Sequence, residues 1–217
     1  MARGVLGWSE REYVRERIRE KAETLAPFMA GTSADALYAR IIGRRQPKML
    51  EITPEIRALA RKLPVGDTRG ALETIADAIK CKIKSRGAGE EAELLHFNRT
   101  ADEILRSGIF PNNKGIGIRG CHDCSTLIIA VLRAQGLGPG SARYVRYERK
   151  DGTHSVVVVR AGRQTHYVDG LFGTLLNQKE IKELLEAKRN HKYAESDEPI
   201  REDYTGAKER LIRDGGY

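Results

Sequence analysis

The chain has few of the features that mark a secreted, disulfide-stapled or membrane-spanning protein. Its 217 residues include three cysteines. An odd number argues against a secreted disulfide framework and makes individual reactive or structural thiols the expectation. No apolar run approaches the roughly 20 residues needed to cross a bilayer. The longest runs, 127–132 and 156–159, are the length of core elements. The start of the chain, Met1 to Glu10, has no apolar stretch of the kind that directs secretion, so a cytoplasmic location and no membrane partner are expected. Aromatic residues make up only 6%, and no nucleic-acid-binding motif accompanies the net charge of +8. The basic residues are dispersed, as in Arg44, Arg45 and Lys48 or Arg143, Arg146 and Arg149. A solvated surface of mixed sign therefore accounts for them better than a nucleic-acid face.

What is present is a soluble composition, 40% hydrophobic and 31% charged, long enough for one core with helical additions. Ser9-Glu10-Arg11-Glu12 reads as a capping box, and Val14, Ile18, Ala22, Leu25 and Met29 recur at helical spacing, predicting a first helix that ends near Met29. Ser33 opens a shorter helix toward Ile42, and residues 43–47 read as a link. Thr53 followed by Pro54 predicts a capped helix carrying Ile56, Leu59 and Leu63. Asp67 is the expected cap of another, through Leu72, Ile75, Ile79 and Ile83. Residues 85–91 and 111–117 have loop composition, with a short helix from Thr100 to Leu105 between them. A helix from Cys121 to Gln135 stops at Gly136, after which the period changes to three strands: 142–148, 154–160 and 164–168. A helix over 179–188 follows. Residues 190–217 are charged enough to be a surface wrap or mobile tail.

The chemistry concentrates in Arg119-Gly120-Cys121-His122-Asp123-Cys124. A thiol attacks as its thiolate, and a helix start lowers thiol pKa because its outward N–H groups carry partial positive charge. Cys121 stands at that position, with Gly120 permitting close backbone approach and its own amide available to a developing oxyanion. Cys81, in a helical setting, reads as a buried small hydrophobe. If Ala161-Gly162 is a two-residue hairpin turn, His154 lies directly opposite Asp169, close enough for the carboxylate to orient the imidazole. Taken singly, His154 merely starts a strand and Asp169 a turn. Together with a cysteine at a helix start they make a candidate Cys121–His154–Asp169 triad.

The order of these residues resembles the transglutaminase-like superfamily, a papain-related group of thiol enzymes. The resemblance runs from about Ile52 to Gly173. It rests on Gly120-Cys121-His122-Asp123, Leu132-Arg133-Ala134-Gln135-Gly136-Leu137, Tyr144-Val145, His154 and Val168-Asp169. It implies an α+β fold whose active-site helix packs on an antiparallel sheet, with an N-terminal helical extension (1–50), a catalytic domain (51–189) and a charged C-terminal tail (190–217). It also implies Cys121 as nucleophile, His154 as base and then acid, Asp169 as orienter, and attack on a carboxamide or peptide bond through a thioester. Water or an amine would take the acyl group, the substrate would be a protein or peptide, and no cofactor or metal is implied. Asn113 is the candidate second oxyanion donor. The chain departs from the family pattern in having Cys124, a valine run at 156–159 where a tryptophan-containing strand is usual, and Gly170 where proline is common.

Three other readings compete. Cys121-x-x-Cys124 could be a redox dithiol, although glycine-rich sequence precedes it where a buried strand is wanted. Cys121, Cys124 and His122 or His154 could hold zinc, but no second cysteine pair supplies the remaining ligands. A catalytically silent module of the same fold could use the basic surface to bind an acidic protein or nucleic acid. The sequence leaves the oligomeric state open.

Overall fold

Every residue from His122 to Leu132 is buried, so the helix that follows Cys121 is enclosed on all sides instead of lying on a surface. The computed structural model in which this is seen describes residues 8–26, 33–41, 48–80, 99–107, 120–150 and 152–199. It is an α+β structure. The helices are α1 (Trp8–Leu25), α2 (Ala34–Ile41), α3 (Pro54–Lys62), α4 (Arg69–Ile79), α5 (Ala101–Ser107), α6 (Cys121–Ala134) and α7 (Gln178–Arg189). The strands are β1 (Ala142–Arg149), β2 (Gly152–Ala161), β3 (Gln164–Asp169), β4 (Thr174–Leu175) and β5 (Tyr193–Ser196). The sheet is antiparallel in the order β4-β3-β2-β1-β5.

Local chemistry explains several helix ends. Thr53 Oγ1 accepts from the Ile56 N–H at 3.4 Å, with Pro54 in the first turn of α3. Thr53 also donates to Asp102 Oδ1 at 2.7 Å, tying α3 to α5. The cap of α4 is Thr68, one residue beyond the expected Asp67, and its Oγ1 accepts from Ala71 N. Asn177 and Glu180 bond reciprocally at the head of α7, with Glu180 Oε2 accepting from Asn177 N and Asn177 Oδ1 from Glu180 N. At the end of α6, Gly136 adopts φ 98°. Leu137 N then reaches Leu132 O, and Gly136 N reaches Arg133 O, each at 3.0 Å, which satisfies carbonyls the helix itself leaves open.

α1 runs from Trp8, one residue before the expected cap Ser9, to Leu25. α1 and α2 pack against each other, burying Ile18, Ala22 and Leu37. Met29, Ile42, the 43–47 link, Cys81, Ile83 and the loops at 85–91 and 111–117 lie outside the described residues.

The valine run explains how the sheet is covered. Side chains alternate across a strand, so Val157 and Val159 join α6 in one core while Val156 and Val158 join Leu184 and Ala187 of α7 in another. A strand buried on both faces reads as continuous hydrophobicity. β4 and β5 depart from the sequence expectation. β5 falls in the segment expected to be tail, yet Tyr193 to Ser196 pair with Tyr147 to Tyr144 of β1. Its charge is matched within the sheet: Glu195 Oε1 accepts from Arg143 at 2.9 Å and from Arg160 at 2.6 Å.

Gly170, immediately after Asp169, sits directly on α6. A Cβ there would lie 2.7 Å from Ile128 Cδ1 and 2.8 Å from Cys124 Cβ. Gly170→Ala should therefore lower the unfolding free energy by about 1–3 kcal/mol through overpacking. Gly138→Ala, which meets nothing within 4 Å, should change it little. Denaturant midpoints check both, and equal effects would contradict the packing.

Candidate active site

Cys121 is the first residue of α6, after Gly120 in extended conformation (φ −96°, ψ 177°). It is partly exposed and not in a disulfide. The helix start is held by Asp123, whose Oδ2 accepts from Gly120 N at 3.4 Å and from the Arg99 guanidinium at 2.5 Å. Arg99 and Asp123 are both fully buried. A carboxylate in the first turn suits the helix dipole, but left alone it would oppose a thiolate two residues away. Arg99 offsets that charge while keeping the cap. Arg99 is absent from the sequence-predicted site, because an arginine 22 residues before the cysteine carries no local pattern that announces such a contact.

His122 turns into the core. Its Nδ1 lies 3.0 Å from Tyr144 Oη, which is 2.5 Å from Ser155 Oγ, so a buried polar chain links the start of α6 to β1 and β2. Cys124 is fully buried and disulfide-bonded, whereas Cys121 is not. The two therefore do not form the dithiol pair that the redox reading requires, and the expectation of thiols alone is corrected at Cys124. The chain's third cysteine, Cys81, lies outside the described residues. Among the described residues, no group of three His, Cys, Asp or Glu side chains is placed to hold a metal ion.

His154 and Asp169 come together, by a different register from the one expected. The hairpin turn is Gly162-Arg163, with β2 and β3 joined at Ala161↔Gln164, and Gly162 supplies a φ of 59° at the first turn position. Val157 faces Val168, so Asp169 is diagonal to His154. The shift by two preserves side-chain parity, leaving both residues on one face. Diagonal neighbours are within reach of long side chains. The result is a 2.6 Å hydrogen bond between His154 Nε2 and Asp169 Oδ2, with both side chains nearly buried, at 7% and 1% exposure.

The other carboxylate oxygen of Asp169 accepts from Leu171 N at 2.9 Å and Phe172 N at 3.2 Å, so the same group orients the imidazole and shapes the turn after β3. Tyr147 meets the His154 ring edge-on, with centroids 5.8 Å apart. Cys121 lies close enough to His154 for its thiol to act on the imidazole. With Nε2 taken by Asp169, Nδ1 is the ring nitrogen left for the thiol. Asn113 lies outside the described residues.

No protein-family model, curated protein or solved structure matches this chain. The arrangement has to be read from its own chemistry: a partly exposed thiol at a helix start, an imidazole beside it, and a buried carboxylate behind the imidazole.

Burial alone would depress the His154 pKa. The hydrogen bonds to Asp169 and Cys121, with their charges, outweigh it and raise the value from 6.5 to about 9. Because the folded value lies above the ordinary one, protonated His154 adds stability that is full below pH 6.5 and is lost as the pH rises through about 9. The imidazole proton resonances of His154 should titrate near pH 9 in the wild type and at lower pH in Asp169→Asn. A wild-type midpoint at or below 6.5 would show that no such charge pairing exists.

Proposed function

We propose that the chain is a cysteine-dependent hydrolase or acyltransferase with a transglutaminase-like core, acting on a carboxamide or peptide bond of a protein or peptide. The observation that carries the reading is His154, hydrogen-bonded to Asp169 at 2.6 Å and within reach of the Cys121 thiol. An imidazole so placed takes the thiol proton and holds the resulting thiolate as its counter-ion. Sγ attacks the carbonyl carbon. As the C–N bond breaks, protonated His154 gives its proton to the departing nitrogen, leaving an acyl thioester on Cys121. Water or an amine then attacks the thioester, passing a proton to His154, and Sγ departs as thiolate. Arg99 and Asp123 act through the helix start and are positioning residues.

The helix enclosed by the core and the antiparallel sheet are what the resemblance to the transglutaminase-like superfamily leads one to expect, and the order nucleophile, base, orienter supports it further. The redox reading lacks such support, because Cys124 is engaged in a disulfide in which Cys121 has no part.

Alkylation by iodoacetamide, mapped by mass spectrometry across pH, tests the proposal. Cys121 should react with an inflection well below the ordinary thiol value of about 8.5. His154→Ala should move that inflection back toward 8.5 and slow the reaction near pH 6.5 by about tenfold or more. If Cys121 reacts like a solvent thiol, or if the histidine variant is unchanged, the triad does not operate.

A further inference from the structure

The turn after β3 presents Phe172, a large apolar side chain that is 55% exposed. Its centroid lies 6.1 Å from that of His154, the rings tilted by 39°. An exposed aromatic on a mobile loop would mean little, but this turn is pinned at three points. Asp169 Oδ1 holds the Leu171 and Phe172 amides, and Gly173 N bonds Asp169 O at 2.9 Å. Gly170 is seated on α6 with no room for a Cβ. Gly173 adopts φ +72° against Lys80 and Asp77 of the α4 end, where a Cβ would approach Lys80 Cδ at 2.7 Å. Leu171 packs inward against the core while Phe172 stays out. The backbone thus holds an apolar ring largely in water beside the imidazole.

We infer that Phe172 is a specificity-determining residue that receives an apolar or aromatic side chain on the amine side of the scissile bond. This rests on the proposed acyl-transfer reading, and the chemistry of that reading gives the side. His154 delivers its proton to the departing nitrogen, so that nitrogen passes close to the imidazole, and the group it carries is the part of the substrate that reaches the ring beside it. By microscopic reversibility, an amine that attacks the thioester enters through the same place and surrenders its proton to His154. An aromatic group stacking on Phe172 gains contact that a hydrogen in the same position lacks. The substrate class is accordingly a peptide or amine with an apolar residue following the scissile amide.

Acyl transfer from p-nitrophenyl acetate separates this inference from the reading beneath it. A burst of nitrophenol with acetyl on Cys121, absent in Cys121→Ala, reports the nucleophile. Deacylation is then timed with phenylalaninamide or glycinamide as acceptor, compared at equal free-base concentration. The wild type should prefer phenylalaninamide by about three- to tenfold. The preference should fall to about one in Phe172→Ala and persist in Phe172→Leu. A burst followed by equal acceleration from both amines, or by none from either, overturns the role of Phe172 and leaves the nucleophile standing. So does a preference that survives in Phe172→Ala. If Cys121 is not acylated at all, the acyl-transfer reading fails, and the inference fails with it.

Discussion

Enclosure of α6 by apolar contact on every side is the constraint on which the rest of the structure depends. α3, α4 and α5 pack on it from one direction and β1, β2 and β3 from another. Interiors packed at crystal-like density do not let a helix slide or rotate by small amounts. The first residue of α6 is therefore fixed relative to the strands, and the Cys121–His154 contact is a consequence of core packing at some distance from it. Gly170 shows how close the fit is, since the turn that follows Asp169 rests on α6 at a distance that excludes even a methyl group.

Charge is managed with similar economy at the head of the helix. Two buried carboxylates serve the site, and each meets two demands. Asp123 caps Gly120 and is neutralised by Arg99. Asp169 orients His154 with one oxygen and builds the Phe172 turn with the other. Breaking either pair would leave a buried charge without its partner, which costs far more than an exposed pair is worth. The sheet repeats the pattern at its far edge, where Glu195 draws Arg143 and Arg160 together across β5, β1 and β2.

The helices were largely legible because their signals are local. Thr53-Pro54, the stop at Gly136 and the apolar spacing of α4 act within a turn or two of themselves, and the structure uses each of them. Strands β1 to β3 were legible from their period and valine content. β5 was not, because Tyr193-Ala194-Glu195-Ser196 has neither strong alternation nor apolar content. Its stability comes from a β1 edge and arginines more than thirty residues earlier in the chain. The hairpin turn lies one position later at each end than its sequence suggests, which shifts the register by an even number and keeps Asp169 on the same face as His154 though not opposite it.

By itself the sequence determined where most helices and the first three strands lie, that Cys121 begins a helix, and that a histidine and a carboxylate follow on adjoining strands, since these depend on interactions spanning a few residues. Only the tertiary structure decided that Asp169 bonds His154 diagonally, that Arg99 answers Asp123, that Cys124 is withdrawn into a disulfide, and that Phe172 stands exposed beside the imidazole. Those outcomes depend on which distant surfaces the core brings into contact, and no local pattern encodes the distance between two residues that meet only after packing.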